Sequence, residues 1–103
     1  MSDYRLTPFA RADIFEIWSY IARDSVDAAE RVEQAIYDAC ALLAQRPWSG
    51  HVRRDLTNRP LRFWTLVRYP NYMIVYRPAE KPLQVVAVLH GKRSIGSVLR
   101  KRP

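Results

Sequence analysis

Residues 83–90, LQVVAVLH, are apolar at nearly every position. Successive side chains of a strand point to opposite faces. A strand that is apolar on both faces has to be covered on both, so this segment predicts an interior strand. Whatever else the chain forms must supply two layers of cover and strand neighbours on either side.

The neighbours are legible upstream. RFWTLVR (62–68) alternates and is rich in aromatic and β-branched residues, and YMIVYR (72–77) continues in the same manner. Pro70-Asn71 and PAEKP mark the turns between the three strands. If the first of these strands is regular, Trp64, Leu66 and Arg68 share one side and Phe63, Thr65 and Val67 the other. YRL (4–6) predicts one more short strand beside the interior one, in a direction the sequence leaves open.

One layer of cover comes from residues 7–47. Thr7 can accept backbone N–H bonds as a helix cap, and Pro8 suits the first helical position. Ile14, Ile17, Trp18 and Ile21 then recur at three and four residues. Asp24-Ser25 breaks this helix, Ser25 caps a second, and Val32, Ile36, Ala39 and Leu43 form its stripe up to Pro47. So short a link predicts an antiparallel hairpin. Trp18, Ile21, Ile36 and Leu43 are expected to meet the sheet through Val75 and Val86 or their neighbours. Residues 47–61 read as a loop, and Ile95, Val98 and Leu99 suggest a last short helix around 94–100. The order is β-α-α-β-β-β with a terminal helix: an α+β fold, a small, mainly antiparallel sheet packed by an N-terminal helical hairpin. Its 103 residues predict a single domain.

Several functions are disfavoured by what the chain lacks. Its histidines are far apart in sequence and the single cysteine, Cys40, falls on the helical stripe with Ile36 and Leu43, so no metal site is expected. The three glycines make no phosphate-cradling or dinucleotide pattern, and no cofactor is expected. One cysteine allows no internal disulfide, and neither a signal-peptide core nor a membrane-length apolar run is present, so a cytoplasmic setting is expected. The net charge of +7 favours an anionic partner.

The candidate site residues are cations beside aromatics. Arg62, Trp64, Arg68, Tyr72, Tyr76 and Arg77 could stack bases and pair phosphates, or receive a partner's acidic segment through arginine forks. HGKRSI (90–95) closes the interior strand with His90, Lys92 and Arg93. Metal-free RNA cleavage needs a base, an acid and cations for the phosphate; His90 could move a proton and Lys92 and Arg93 could hold phosphate. Asp13 and Glu16, one helical turn apart, read as solvated surface carboxylates, and Arg53, Arg54 and Asp55 as a surface patch.

YRLTPFARADIFEIWSYIARDS, RPLRFW, YMIVYRP and VLHGKRSI, in that order, together resemble the ParE branch of the RelE/ParE toxins of bacterial toxin–antitoxin pairs. The resemblance covers nearly the whole chain. It implies a toxin that inhibits DNA gyrase by protein–protein contact, with no catalytic residue, and that is neutralised by a cognate, ParD-like antitoxin. Direct nucleic-acid binding would be secondary. The alternatives it carries are a ribosome-dependent mRNA endonuclease of the RelE type, using His90 and Arg93, and an inactive fold that only binds antitoxin. RelE-type cutters carry basic side chains and a tyrosine at positions that the resemblance puts at Trp64, Leu66, Met73 and Leu99; only Arg93 keeps the expected type. The antitoxin- or target-binding set implied is Arg62, Trp64, Arg68, His90, Lys92 and Arg93.

Overall fold

A computed structural model describes residues 3–103. The chain runs β1 (Tyr4–Leu6), α1 (Pro8–Ala22), α2 (Val26–Gln45), a 3₁₀ turn (Pro47–Ser49), β2 (Arg62–Thr65), β3 (Tyr72–Arg77), β4 (Leu83–His90) and α3 (Ile95–Arg100). The α+β order expected from the sequence is the order observed. Both helix starts have the predicted caps: Thr7 Oγ1 accepts from Ala10 N at 3.1 Å, and Ser25 Oγ from Ala28 N at 3.1 Å.

The sheet order is β1-β4-β3-β2. β4 is interior, as its composition requires. β3 pairs antiparallel with both β2 and β4, while β1 pairs parallel with β4, Tyr4 opposite Leu83 and Leu6 opposite Val85. β2 is shorter than predicted. Past Thr65 the chain donates one more ladder bond, Leu66 N to Tyr72 O at 3.0 Å. Leu66 is buried there while Val67 swings out to 82% exposure, which ends the alternation.

A bulge in β4 decides which face each residue serves. Val75 lies opposite Ala87 and Tyr76 opposite Val85, so Val86 has no partner on β3. An unpaired extra residue reverses the parity of the strand. Val85 and Val88 therefore both face the helical hairpin, packed with Ile36, Leu43, Ile74 and Tyr76. Val86, Ala87 and Leu89 face the other way, against Val75, Ile95 and Leu99. The hairpin thus meets the sheet through the neighbours of Val75 and Val86, namely Ile74, Tyr76 and Val85, while those two themselves belong to the α3 side. Trp18 departs from expectation. Its Nε1 donates to Glu30 Oε2 at 3.1 Å, joining α1 to α2 instead of to the sheet.

The largest correction is Asp13. It is not a solvated surface carboxylate but is buried, with 5% of its side chain exposed, and it pairs with Arg102, 11% exposed. Arg102 Nη1 donates to Asp13 Oδ2 at 2.5 Å and Nη2 to Oδ1 at 2.8 Å. The same Oδ2 accepts from Val88 N at 3.0 Å. The pairing of β1 with β4 ends at Val85, with Thr7 N donating to Val85 O at 3.0 Å. Beyond that point the carboxylate stands in for a missing strand. Arg102 Nη1 also donates to the bulge carbonyl, Val86 O, at 3.1 Å, and its guanidinium lies 5.2 Å from the Phe9 ring centroid.

Tyr76, read as part of a surface mixture of cations and aromatics, is wholly buried. Its hydroxyl donates to Pro47 O at 2.7 Å and accepts from Gly50 N at 2.8 Å, pinning the start of the long loop. A Cβ at Gly50 would stand 2.5 Å from that hydroxyl, so glycine is required for the close approach.

Two outcomes follow for stability. Removing one partner of a buried ion pair leaves the other charged and unpaired, so Asp13→Ala should cost about 3–5 kcal/mol. Glu16→Ala, three residues on and 74% exposed at its side chain, should fall within about 0.5 kcal/mol of wild type. Equal shifts of the denaturation midpoint would refute this account of Asp13. Burial pushes the Cys40 thiol from 9.0 up to about 12. The unfolded chain releases this proton from about pH 9 upward and the folded chain holds it. Stability from this group is therefore complete below pH 9 and declines as pH rises toward 12. Unfolding free energy should fall less steeply between those limits in Cys40→Ala than in wild type.

Candidate functional site

The structure divides the six predicted site residues among three places. His90, Lys92 and Arg93 line one cavity of about 380 Å³. Trp64 and Arg68 line another, also about 380 Å³. Arg62 lies apart, bonded to its own loop.

The first cavity lies between α1 and the end of the β3–β4 pair. β4 contributes Val88 and His90, β3 contributes Tyr72, and the turn that follows β4 brings Lys92 and Arg93. That turn is held by Gly91 N donating to Asn71 O at 2.7 Å and Arg93 N to His90 O at 3.0 Å. Tyr72 and His90 face each other across the ladder and meet edge to face, ring centroids 5.2 Å apart at 86°. His90 Nδ1 accepts from Lys92 N at 3.1 Å, which assigns the neutral ring's proton to Nε2. Burial, with a smaller contribution from Tyr20, holds the Tyr72 hydroxyl above its ordinary range. Arg93 Nη1 stands 3.8 Å from Glu16 Oε1 with both side chains well exposed, so this ion pair contributes at most about 1 kcal/mol.

Three residues of this cavity, all from α1, were not expected at a site: Glu16, read as a surface carboxylate, Ile17, read as core stripe, and Tyr20. With Asp13 they recur at three and four residues, a stripe that marks one helix face. That spacing was the available signal. What it could not disclose was that the stripe faces the corner at His90.

The second cavity is a groove between α2 and the edge strand β2. Ala35, Ala39 and Leu42 form one wall, Trp64, Leu66 and Val67 the other, and Arg31 and Arg68 supply cations. Arg62, by contrast, donates from Nη1 to Gly50 O at 2.8 Å and Trp48 O at 3.2 Å, with its guanidinium 5.2 Å from the Trp48 ring centroid. It holds the loop to the sheet. Arg53 is likewise spoken for at the surface by Asp55, at 2.8 Å.

Of the four positions expected to carry cleavage groups in a RelE-type cutter, two lie in the core and two are partly buried against it. Leu66 is buried and Trp64 lies against the hairpin-side cluster; Leu99 is buried and Met73 lies against the opposite one. Among the described residues no group of three His, Cys, Asp or Glu is placed to hold a metal ion. No helix among them is long and apolar enough to cross a membrane.

A family model described as "ParE toxin of type II toxin-antitoxin system, parDE" matches residues 4–95. A protein of Sinorhizobium fredii (strain NBRC 101917 / NGR234) named "Putative toxin Y4kP" is 36% identical over 84 residues, 82% of each chain. A chain of the solved structure "Chromosomal ParDE TA system from P. aeruginosa" superposes with a TM-score of 0.71 at 23% identity, over 87% of this chain and 96% of that one. At that identity the superposition speaks for the fold.

The His90 geometry has a direct spectroscopic consequence. In the neutral ring, long-range ¹H–¹⁵N correlation should show a protonated Nε2 and a bare Nδ1. The opposite tautomer would refute the Lys92 N–H to His90 Nδ1 bond.

Proposed function

The chain belongs to the ParE toxin family of type II toxin–antitoxin systems, and we propose that it inhibits DNA gyrase by direct contact in the cytoplasm and is silenced by a ParD-like antitoxin. The observation that carries the non-enzymatic part of this reading is the apolar packing at these four positions, Leu66 and Leu99 in the core and Trp64 and Met73 partly buried against it. Apolar groups at those positions can neither move protons nor stabilise a phosphate transition state. Arg93 remains, but a guanidinium keeps its proton and serves as an anion contact.

The antitoxin is assigned to the groove between α2 and β2. An amphipathic segment can set apolar side chains against Ala35, Leu42, Trp64 and Val67 and acidic ones against Arg31 and Arg68. Charge of this kind raises the association rate, so binding slows at high salt.

The second reading is an mRNA endonuclease. The grouping of His90, Lys92 and Arg93 at one cavity is what favours it. The two readings separate cleanly. Under the gyrase reading, purified chain freed of antitoxin should inhibit supercoiling or leave gyrase-dependent DNA breaks. His90→Ala should then change toxicity little and Arg93→Glu should reduce it more. Cleaved mRNA on translating ribosomes, no effect on gyrase, and activity abolished by His90→Ala would overturn it.

A further inference from the structure

We infer that the cavity beneath His90 is a nucleotide site, which takes one unstacked base between α1 and the sheet and its phosphate at Lys92 and Arg93. The site stands apart from the antitoxin groove, and the inference does not depend on gyrase being the target.

The cavity has the two halves that a nucleotide needs. Its walls are apolar and aromatic: Ile17 and Val88, with the rings of Tyr20 and Tyr72. Tyr20 is 68% exposed on α1, an arrangement that costs burial and leaves much of the ring in reach of a ligand. Aromatic side chains on which bases stack, beside cations that follow the backbone, are the common elements of single-strand recognition. The cations are Lys92 and Arg93 at the rim, with Arg23 lying 5.9 Å from the Tyr20 ring centroid. A neighbouring small cavity shares Arg93 and adds Ser97 and Lys101, continuing the basic path along α3.

Of the two carboxylates nearby, Asp13 leaves this charge intact. Both oxygens of Asp13 are taken by Arg102, and one also by Val88 N. Glu16 offsets part of Arg93's charge, but through a loose, exposed contact that solvent screens. Glu16 can accept from the exocyclic amino group of adenine, cytosine or guanine, so an adenine probe suits the test. His90 keeps Nε2–H as a donor because Nδ1 is occupied by Lys92 N. At about 380 Å³ the cavity lies at the small end of ligand sites, with room for one nucleotide and none for stacked pairs.

The same chemistry could come from a free mononucleotide or from one residue of a single strand. The test is fluorescence anisotropy of the full chain with labelled (dA)₈ at low salt, with unlabelled dAMP, (dA)₈ and a blunt duplex as competitors. Saturable binding is expected, weakened about tenfold by Tyr20→Ala and by Arg93→Ala and unchanged by Arg68→Ala in the other cavity. Competition by dAMP at concentrations comparable to (dA)₈ identifies a free nucleotide as the occupant; competition by (dA)₈ alone identifies a strand. Tyr20 and Arg93 are exposed, so both variants should fold, and circular dichroism verifies it. No saturable binding would overturn the inference. So would a duplex that competes as well as the single strand, or a loss on Arg68→Ala equal to that on Arg93→Ala with Tyr20→Ala neutral.

Discussion

The Asp13–Arg102 pair holds three parts of the molecule to one point. Asp13 comes from the first helix and Arg102 from 89 residues later. Both meet β4 where its bulge frees Val86 O and where Val88 N faces no strand. Taking two charges out of water is costly, and their attraction offsets the cost only when the remaining donors and acceptors are also used. Here they are: both carboxylate oxygens, a backbone N–H and a backbone carbonyl. Arg59 completes the clasp from the loop, donating to Leu99 O at 2.9 Å and Arg102 O at 3.0 Å. Since Ile95 and Leu99 cover the second face of the sheet, the clasp that fixes Arg102 also keeps α3 in place.

Features with local causes were legible in the sequence. Thr7 and Ser25 act within three residues, so each cap could be read from its own neighbourhood. The interior position of β4 followed from its composition. Features with distant causes were not legible. Asp13 sits on an otherwise apolar stripe between Ala10 and Ile14 and Ile17, which could have flagged it as buried, but nothing near it names Arg102. The bulge at Val86 lies inside an unbroken apolar run, VVAVL, so the switch of faces has no written mark. Tyr76 looks like any strand tyrosine until Pro47 and Gly50 are brought to its hydroxyl.

The candidate site shows the same division. His90, Lys92 and Arg93 are neighbours in the chain and stay neighbours in space. Arg62, Trp64 and Arg68 share a side of the predicted strand, yet Arg62 parts from the other two, because the long loop claims its guanidinium. A cation that hydrogen-bonds carbonyls of its own loop has fewer donors left for a partner. Charge type was therefore a weaker guide than what each charge already holds.

The sheet order has a consequence for how such a chain is made. Among the described residues β1 pairs with β4 alone, in parallel, and the clasp on α1 needs Arg102. While the ribosome is still synthesising the middle of the chain, β1 has no partner and the hairpin has no sheet to cover its apolar stripe. Contacts so distant in sequence form late, and transiently uncovered apolar surface invites association. The nascent polypeptide therefore stays open until β4 and Arg102 have emerged from the ribosome, and its native surface cannot form before then.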